Sequence, residues 1–242
     1  MDKIKSQQLG VGDMLGEGWR LYRTNFRNIL LVILCVYVPI DSILTFLSAH
    51  LRSQQTYNNA SQLLESLVGI LATIGIASIV ENSIRGQSTT WRDSMGHAFS
   101  RWGSAIGTNL LGGLIVSGLM LLLIIPGIIW SVYYSFVICV VALRNMGGKT
   151  ALDYSKNLVK GHWWRVLGTV SLILIIQVVV SLVIGLSFAL ISDNLFLGFI
   201  ASMLGEIVRA LFTVMIIVFF LNRDYLTNPS QPEPSPPLVV TA

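Results

Sequence analysis

Three ionisable residues stand inside long apolar runs: Asp41, Glu206 and Arg209. A charge at the centre of a membrane helix costs about 2.5–3.5 kcal/mol on insertion scales, so such a residue marks either a working site or a compensated pair. At about 1.5 Å per helical residue, Asp41 lies about 18 Å above the start of its run near Ile29. Counted down from Leu195, Glu206 lies at about 16 Å and Arg209 at about 21 Å. In a hydrocarbon core of about 30 Å the two carboxylates share a depth. Glu206 and Arg209 are three apart, a spacing that pairs side chains on one helix face. If the first and last runs are neighbours, Arg209 also reaches Asp41. The cluster then either lines a substrate or proton path, or neutralises itself and fixes helix register, with Asp41 protonated or in a water pocket beside Pro39.

A second set of residues combines cations with aromatic rings. Residues 13–27 place Leu15, Trp19, Tyr22 and Phe26 on one helical stripe and Arg20, Arg23 and Arg27 on the opposite side. Arg101 lies on the polar stripe of a similar stretch, Thr89 to Trp102. Lys156 and Lys160 lie on a third, followed by His162-Trp163-Trp164-Arg165. Anionic lipid headgroups attract such cations by about 1 kcal/mol for each Lys or Arg near the surface, and indole rings favour the headgroup region. These residues are candidate lipid contacts, with membrane lipids as the expected partner; the alternative is packing against the ends of the spans. Other membrane proteins or a second copy are further possible partners. Nucleic acid is not expected, because membrane topology already demands this basicity.

Other chemistry is not legible. His50, His97 and His162 are scattered, and Cys35 and Cys139 both lie in apolar runs, as small apolar residues rather than a disulfide or metal pair. No GxSxG, phosphate loop or pair of carboxylates in a polar setting occurs. The expectation is a non-enzymatic protein without cofactor or metal.

The elements that must position these residues are membrane helices. Hydrophobic residues are 53% of the chain, charged residues 12%, and mean hydropathy is +0.70; a soluble domain carries roughly 25% charge. Trp102 to Leu143 contains no Asp, Glu, Lys or Arg. One crossing needs about 20 apolar residues, so this run is two crossings folded back at Pro126-Gly127, a turn signal. Further spans are expected at about Ile29–Ala49, Leu63–Ile84, Val166–Ile191 and Leu195–Leu221, with Arg52–Ser61 a loop. Glu81 and Arg85 have the spacing of a helical pair. Thr90-Trp-Arg-Asp93 and Thr150-Ala-Leu-Asp153 are capping boxes by pattern, and Gly161 is a helix stop. Ser104, Thr108 and Gly112, with Gly113 and Ser117, form small-residue stripes that let helices approach closely in lipid.

An amphipathic segment followed by two spans recurs in 13–84, 89–143 and 149–221. The expected fold is therefore an all-α membrane protein of six transmembrane helices in three hairpin units, each preceded by an amphipathic interfacial helix. It occupies residues 1–222, ahead of a disordered Pro-rich cytoplasmic tail at 223–242, where a PxxP segment begins at Pro229. Because each unit has an even number of spans, the three units share one orientation and pack side by side, and they are not inverted repeats. Of 16 basic residues only Arg52 and Arg209 fall outside the segments assigned to one side, which predicts both termini in the cytoplasm. With the membrane charges in the outer units, the central hairpin is expected to be the packing core.

Leu15-Gly-Glu-Gly-Trp-Arg-Leu-Tyr-Arg-Thr-Asn-Phe26, Pro126-Gly127, Ala151-Leu-Asp-Tyr-Ser155 and Leu158-Val-Lys-Gly-His-Trp-Trp-Arg-Val-Leu-Gly168 resemble a group of bacterial six-span membrane proteins. It includes the membrane domain fused to some glycerophosphodiester phosphodiesterases. The resemblance covers most of the chain to about Leu221 and implies a location in the bacterial cytoplasmic membrane. It transfers no catalytic residue, since in the fused proteins chemistry belongs to a separate soluble domain. Two functions follow: a non-enzymatic scaffold or lipid- or envelope-associated component, or a small transporter or channel subunit using Asp41, Glu206 and Arg209. A water-lined cavity at Glu206 separates the second from the first.

Overall fold

In the computed structural model of the protein, residues 2–50, 53–189 and 195–228 are described, and they form ten helices with no strand. The helices are α1 (Asp2–Ser6), α2 (Val11–Thr24), α3 (Phe26–His50), α4 (Gln54–Ile84), α5 (Trp91–Leu122), α6 (Ile124–Tyr133), α7 (Val137–Arg144), α8 (Gly148–Val159), α9 (Trp163–Ala189) and α10 (Leu195–Thr227). Six segments are long and apolar enough to cross a membrane, with α6 and α7 together forming the fourth. The chain is a multi-pass helical membrane protein.

Its core is built on α4, α7 and α10. Ile74, Ala77, Val80, Val140, Val214, Ile217, Val218 and Phe220 have no measurable exposure, and the Phe136 ring meets Phe219 edge-on at 5.4 Å. The central hairpin is thus not the packing core as a unit: α7 is buried, while the apolar half of α5 lies at the periphery with α9. The small-residue stripes explain the difference. Thr108 and Gly112 are buried, and Gly112 faces Leu152 and Tyr134. Gly113, one position round the helix, faces open space, and Ser117 on the same stripe is exposed.

Several local expectations move by a few residues, each for a local reason. Helix α4 starts at Gln54, inside the expected polar loop, because the Ser53 side chain accepts from the Thr56 N–H and caps it. The stretch ending at Trp102 is the first third of α5, and the Thr90–Asp93 capping box opens it. The corresponding box at Thr150 does not form. Asn145 at φ 54° and Gly148 at φ 59° turn the chain early, α8 starts at Gly148, and the Thr150 hydroxyl donates to Gly147 instead. Gly161, at φ 81°, ends α8 as its type predicts. The hairpin turns at Leu123, extended at φ −155° and ψ 122°, rather than at Pro126-Gly127. Pro126 falls in the first turn of α6, where a missing N–H leaves no hydrogen bond unmade, and Gly127 admits the Met120 side chain.

On α2 the buried face is Met14, Gly18, Leu21 and Tyr22. It is rotated from the aromatic stripe, so Trp19 and Phe26 are left exposed. A Cβ on Gly18 would come within 2.7 Å of Met215 Cγ, so glycine permits the approach of α2 to α10. Helix α10 runs on to Thr227, and Arg223 and Asp224 are buried helical residues rather than the start of a tail. Arg52 and the Pro-rich segment from Pro229 lie outside the described residues.

Candidate functional site

The three intramembrane charges meet between α3 and α10. Arg209 Nη1 pairs with Glu206 Oε1 at 3.1 Å, the pair that their spacing predicts. Asp41 is joined to α10 by Ser202, whose hydroxyl donates to Oδ2 at 2.6 Å. The described bridge from α10 to Asp41 is therefore a serine two turns above the arginine.

Glu206 and Arg209 line a half-open cavity of about 270 Å³ bounded by α3, α4, α5, α7 and α10. Its polar lining includes Tyr37, Glu65, Thr73, Asn109 and Thr213. The Glu206 Oε2 atom is buried without a hydrogen-bond partner among the described residues, whereas the Arg209 side chain is half-exposed. Tyr37 lies close enough to interact electrostatically with both. Glu65 carries a further carboxylate on the same wall, one helical turn from Gly69, whose backbone lies beside the Tyr37 hydroxyl.

On three helices the same order follows the cavity. On α4 the lining ends at Ile76, passes buried Ile79 and Val80, and reaches Glu81. On α7, Ile138 is followed by Val140 and Val141, then Arg144. On α10, Thr213 is followed by Ile217 to Phe220, then Asp224. The cavity is closed at this end by an apolar layer backed by ions. Arg144 donates to Glu81 at 2.7 Å and to Asp224 at 2.7 and 2.5 Å, and Arg85 donates to Glu81 at 2.8 Å. The Tyr154 hydroxyl donates to Asp224 at 2.5 Å; burial and the neighbouring Asp224 carboxylate hold this phenol above its usual range. Two carboxylates face two guanidiniums, so the group is neutral, as burial requires.

Beside this group the N-terminal segment is strapped to α10. Asn222 donates to the carbonyls of Ile4 and Gln7, both at 2.8 Å, and accepts from Leu9 N at 3.3 Å. Ile4 and Leu9 are buried in the core. Arg223 donates to the Leu158 carbonyl and lies 3.0 Å from His162 Nδ1. Asn25 to Ser83 and Asn28 to the Thr89 carbonyl tie the start of α3 to the end of α4. These polar contacts define one rim of the bundle.

The nine candidate headgroup residues divide. Arg23, Arg27, Lys160 and Trp164 are exposed, and so is Arg20, paired with Glu17 at 2.5 Å. The other four are engaged within the protein. Arg101 donates to Asn145, and Arg165 to the Leu9 carbonyl. Lys156 sits 4.5 Å from the Trp130 ring centre, and Trp163 Nε1 donates to the Ile129 carbonyl at 3.3 Å. Sequence reasoning finds the Glu81–Arg85 pair but counts Arg144 among loop cations and misses its role. The signal available was positional: Glu81, Arg144 and Asp224 each stand where an apolar run ends.

Comparison with protein-family models, curated proteins and solved structures gives no match.

Proposed function

We propose that the protein is a small membrane carrier that binds a cationic solute in the cavity at Glu206. The cavity itself carries this reading: a largely apolar pocket with charged and polar groups set into its lining reaches Glu206, with an apolar layer and a buried ion group beyond one end. Glu65 and Glu206 outweigh Arg209 by one negative charge, and Asp41 adds to the field nearby. A ligand cation is the species that such a lining favours, and the unpartnered Glu206 oxygen accepts from it. The polar rim is taken as the cytoplasmic face of a bacterial plasma membrane, with both termini there. The three repeating units supply the helices, and no enzymatic step is assigned. The resemblance to bacterial six-span membrane proteins is compatible with this assignment.

The experiment is uptake of ethidium, a fluorescent organic cation, into proteoliposomes holding the full chain. Uptake above that of empty vesicles, and its loss in Glu206→Gln, is the expected outcome. Uptake equal to that of empty vesicles, or uptake unchanged after combined Glu65→Gln and Glu206→Gln substitution, removes the carrier reading for cations.

The exposed aromatic rim favours a second reading. Trp19, Phe26 and Trp164 are exposed beside Arg20, Arg23, Arg27 and Lys160, a surface suited to anionic headgroups. Under it the protein is a non-enzymatic scaffold or lipid-associated component. Co-purification of anionic lipid, lost on charge removal at Arg23 and Arg27, with a cavity inert to cations, supports this second reading.

A further inference from the structure

Arg223 is a buried cation with no carboxylate against it among the described residues. The residue is 5% exposed. Its Nη2 donates to the Leu158 carbonyl and to His162 Nδ1, each at 3.0 Å. Its Nε–H is buried and has no acceptor among the described residues. The charged neighbour close enough to act on it is Arg165, a second cation. Arg165 donates to the Leu9 carbonyl, and no described acidic side chain pairs with it either. The nearby ion group offers no relief, because Glu81 and Asp224 are already matched by Arg85 and Arg144. A buried charge ordinarily sits beside its opposite. Here the described chain leaves that opposite out.

The backbone makes this corner of the rim more positive still. Helix α8 ends at Val159, Gly161 at φ 81° turns the chain, and α9 opens at Trp163. The N–H groups of Trp163, Trp164 and Arg165 precede the bond from Val166 N to the His162 carbonyl, so no earlier turn accepts from them. No acidic residue lies in this first turn, which carries about half a positive charge. The end of α8 returns about half a negative charge through carbonyls such as that of Leu158. The two guanidiniums therefore remain uncompensated. Because arginine only donates, His162 Nδ1 accepts and the ring proton sits on Nε2. That ring is exposed, as is Lys160 at the same turn. Guanidinium, imidazole and helix N–H groups are together the donors that a tetrahedral oxyanion accepts from.

We propose that Arg165 and Arg223, with His162 and the first turn of α9, bind a phosphate group, carried by an anionic lipid headgroup or free in solution. The phosphate supplies the missing negative charge and accepts from the open Nε–H of Arg223. It is favoured over a carboxylate because its oxygens point in more than one plane, as donors from α9, α10 and the turn between α8 and α9 require. The site is independent of the cation cavity, which other residues line. It is also separate from the exposed Arg23 and Arg27 surface, because its central cation is buried.

The test follows the thermal midpoint of the full chain in neutral maltoside detergent, since a ligand that binds only the folded state raises it by mass action. Sodium phosphate is compared with sodium chloride at equal ionic strength, and phosphatidylglycerol with phosphatidylcholine in mixed micelles. A rise beyond the matching control is expected with phosphate, with phosphatidylglycerol, or with both. One that phosphatidylglycerol produces assigns the site to a headgroup; one that only phosphate produces assigns it to the free anion. In Arg165→Gln, and in Arg223→Gln as a second variant, about tenfold more anion or greater is needed for the same rise, because a charge-assisted hydrogen bond is lost. Lys149→Gln, which removes an exposed cation at the other end of α8, keeps the wild-type response. No rise beyond the controls, or a rise unchanged in both arginine variants, overturns the proposal. So does a loss in Lys149→Gln equal to that in the arginine variants, which would mean diffuse attraction to a basic surface.

Discussion

Arg144 and Asp224, 80 residues apart, share two hydrogen bonds, with Nε at 2.7 Å and Nη2 at 2.5 Å from Oδ2. The same guanidinium reaches Glu81 at 2.7 Å, so one side chain joins the ends of α4, α7 and α10. All three side chains are under 10% exposed. Breaking a buried pair by removing one partner leaves an uncompensated charge and costs about 3–5 kcal/mol. Arg144→Leu is therefore expected to lower the thermal midpoint of the detergent-solubilised protein sharply. Adding Asp224→Leu to it recovers part of the loss, because one stranded charge is removed. Equal midpoints for Arg144→Leu and the wild type would show that the group is not a structural lock.

Asn222 uses its side chain fully on the N-terminal segment, two carbonyls and one amide. Asn222→Leu strands those backbone groups at about 1–3 kcal/mol for each one left buried. The strap is then expected to open before the bundle does. Limited trypsinolysis reads this as faster cleavage at Lys5 with the remainder of the chain protected; unchanged cleavage would place the restraint elsewhere, on Arg165 and the buried Ile4.

Two phenols outside the spans give the protein an alkaline limit. Burial raises Tyr22 from 10.0 to about 12, and its hydroxyl donates to the Ile207 carbonyl at 3.0 Å. Tyr154 is raised by burial and by Asp224. A folded value above the unfolded one favours the neutral form. The associated stability is complete below the unfolded value of 10.0 and is lost as pH rises through about 12 for Tyr22. Phenolate absorbance against pH is expected to show a late-titrating fraction that coincides with unfolding and shrinks in Tyr22→Phe.

How much of this was legible in the sequence depends on how local each signal is. Apolar runs add up residue by residue, so the membrane helices are visible. Charges within those runs are visible for the same reason, which is why Asp41, Glu206 and Arg209 stand out. Glu81–Arg85 and Glu206–Arg209 follow from helical spacing. The Arg144–Asp224 pair has no such signature, because its partners meet only after α7 and α10 pack. Asn222 holding residues 4–9 is equally non-local. The hairpin turn is not fixed by Pro126-Gly127, because Pro-Gly suits a first helical turn as well as a loop, and only the extended Leu123 backbone decides between them.

Gly18 tests the approach of α2 to the bundle. A methyl there would meet Met215 Cγ at 2.7 Å and its backbone Cα at 3.2 Å. The side chain of Met215 can swing aside, but its backbone belongs to α10 and cannot. Gly18→Ala gains helix propensity of up to about 1 kcal/mol, whereas overpacking of this kind costs about 1–3 kcal/mol. The steric term wins, so net destabilisation is expected. Gly16, on the same helix, has open space at its Cβ, and Gly16→Ala collects the propensity gain without the clash. The pair of variants is the measurement: thermal midpoints that move in opposite directions, down for Gly18→Ala and up for Gly16→Ala. If both rise, the α2–α10 contact is loose, and α2 is held by its arginines and exposed aromatics at the membrane surface instead of by the bundle.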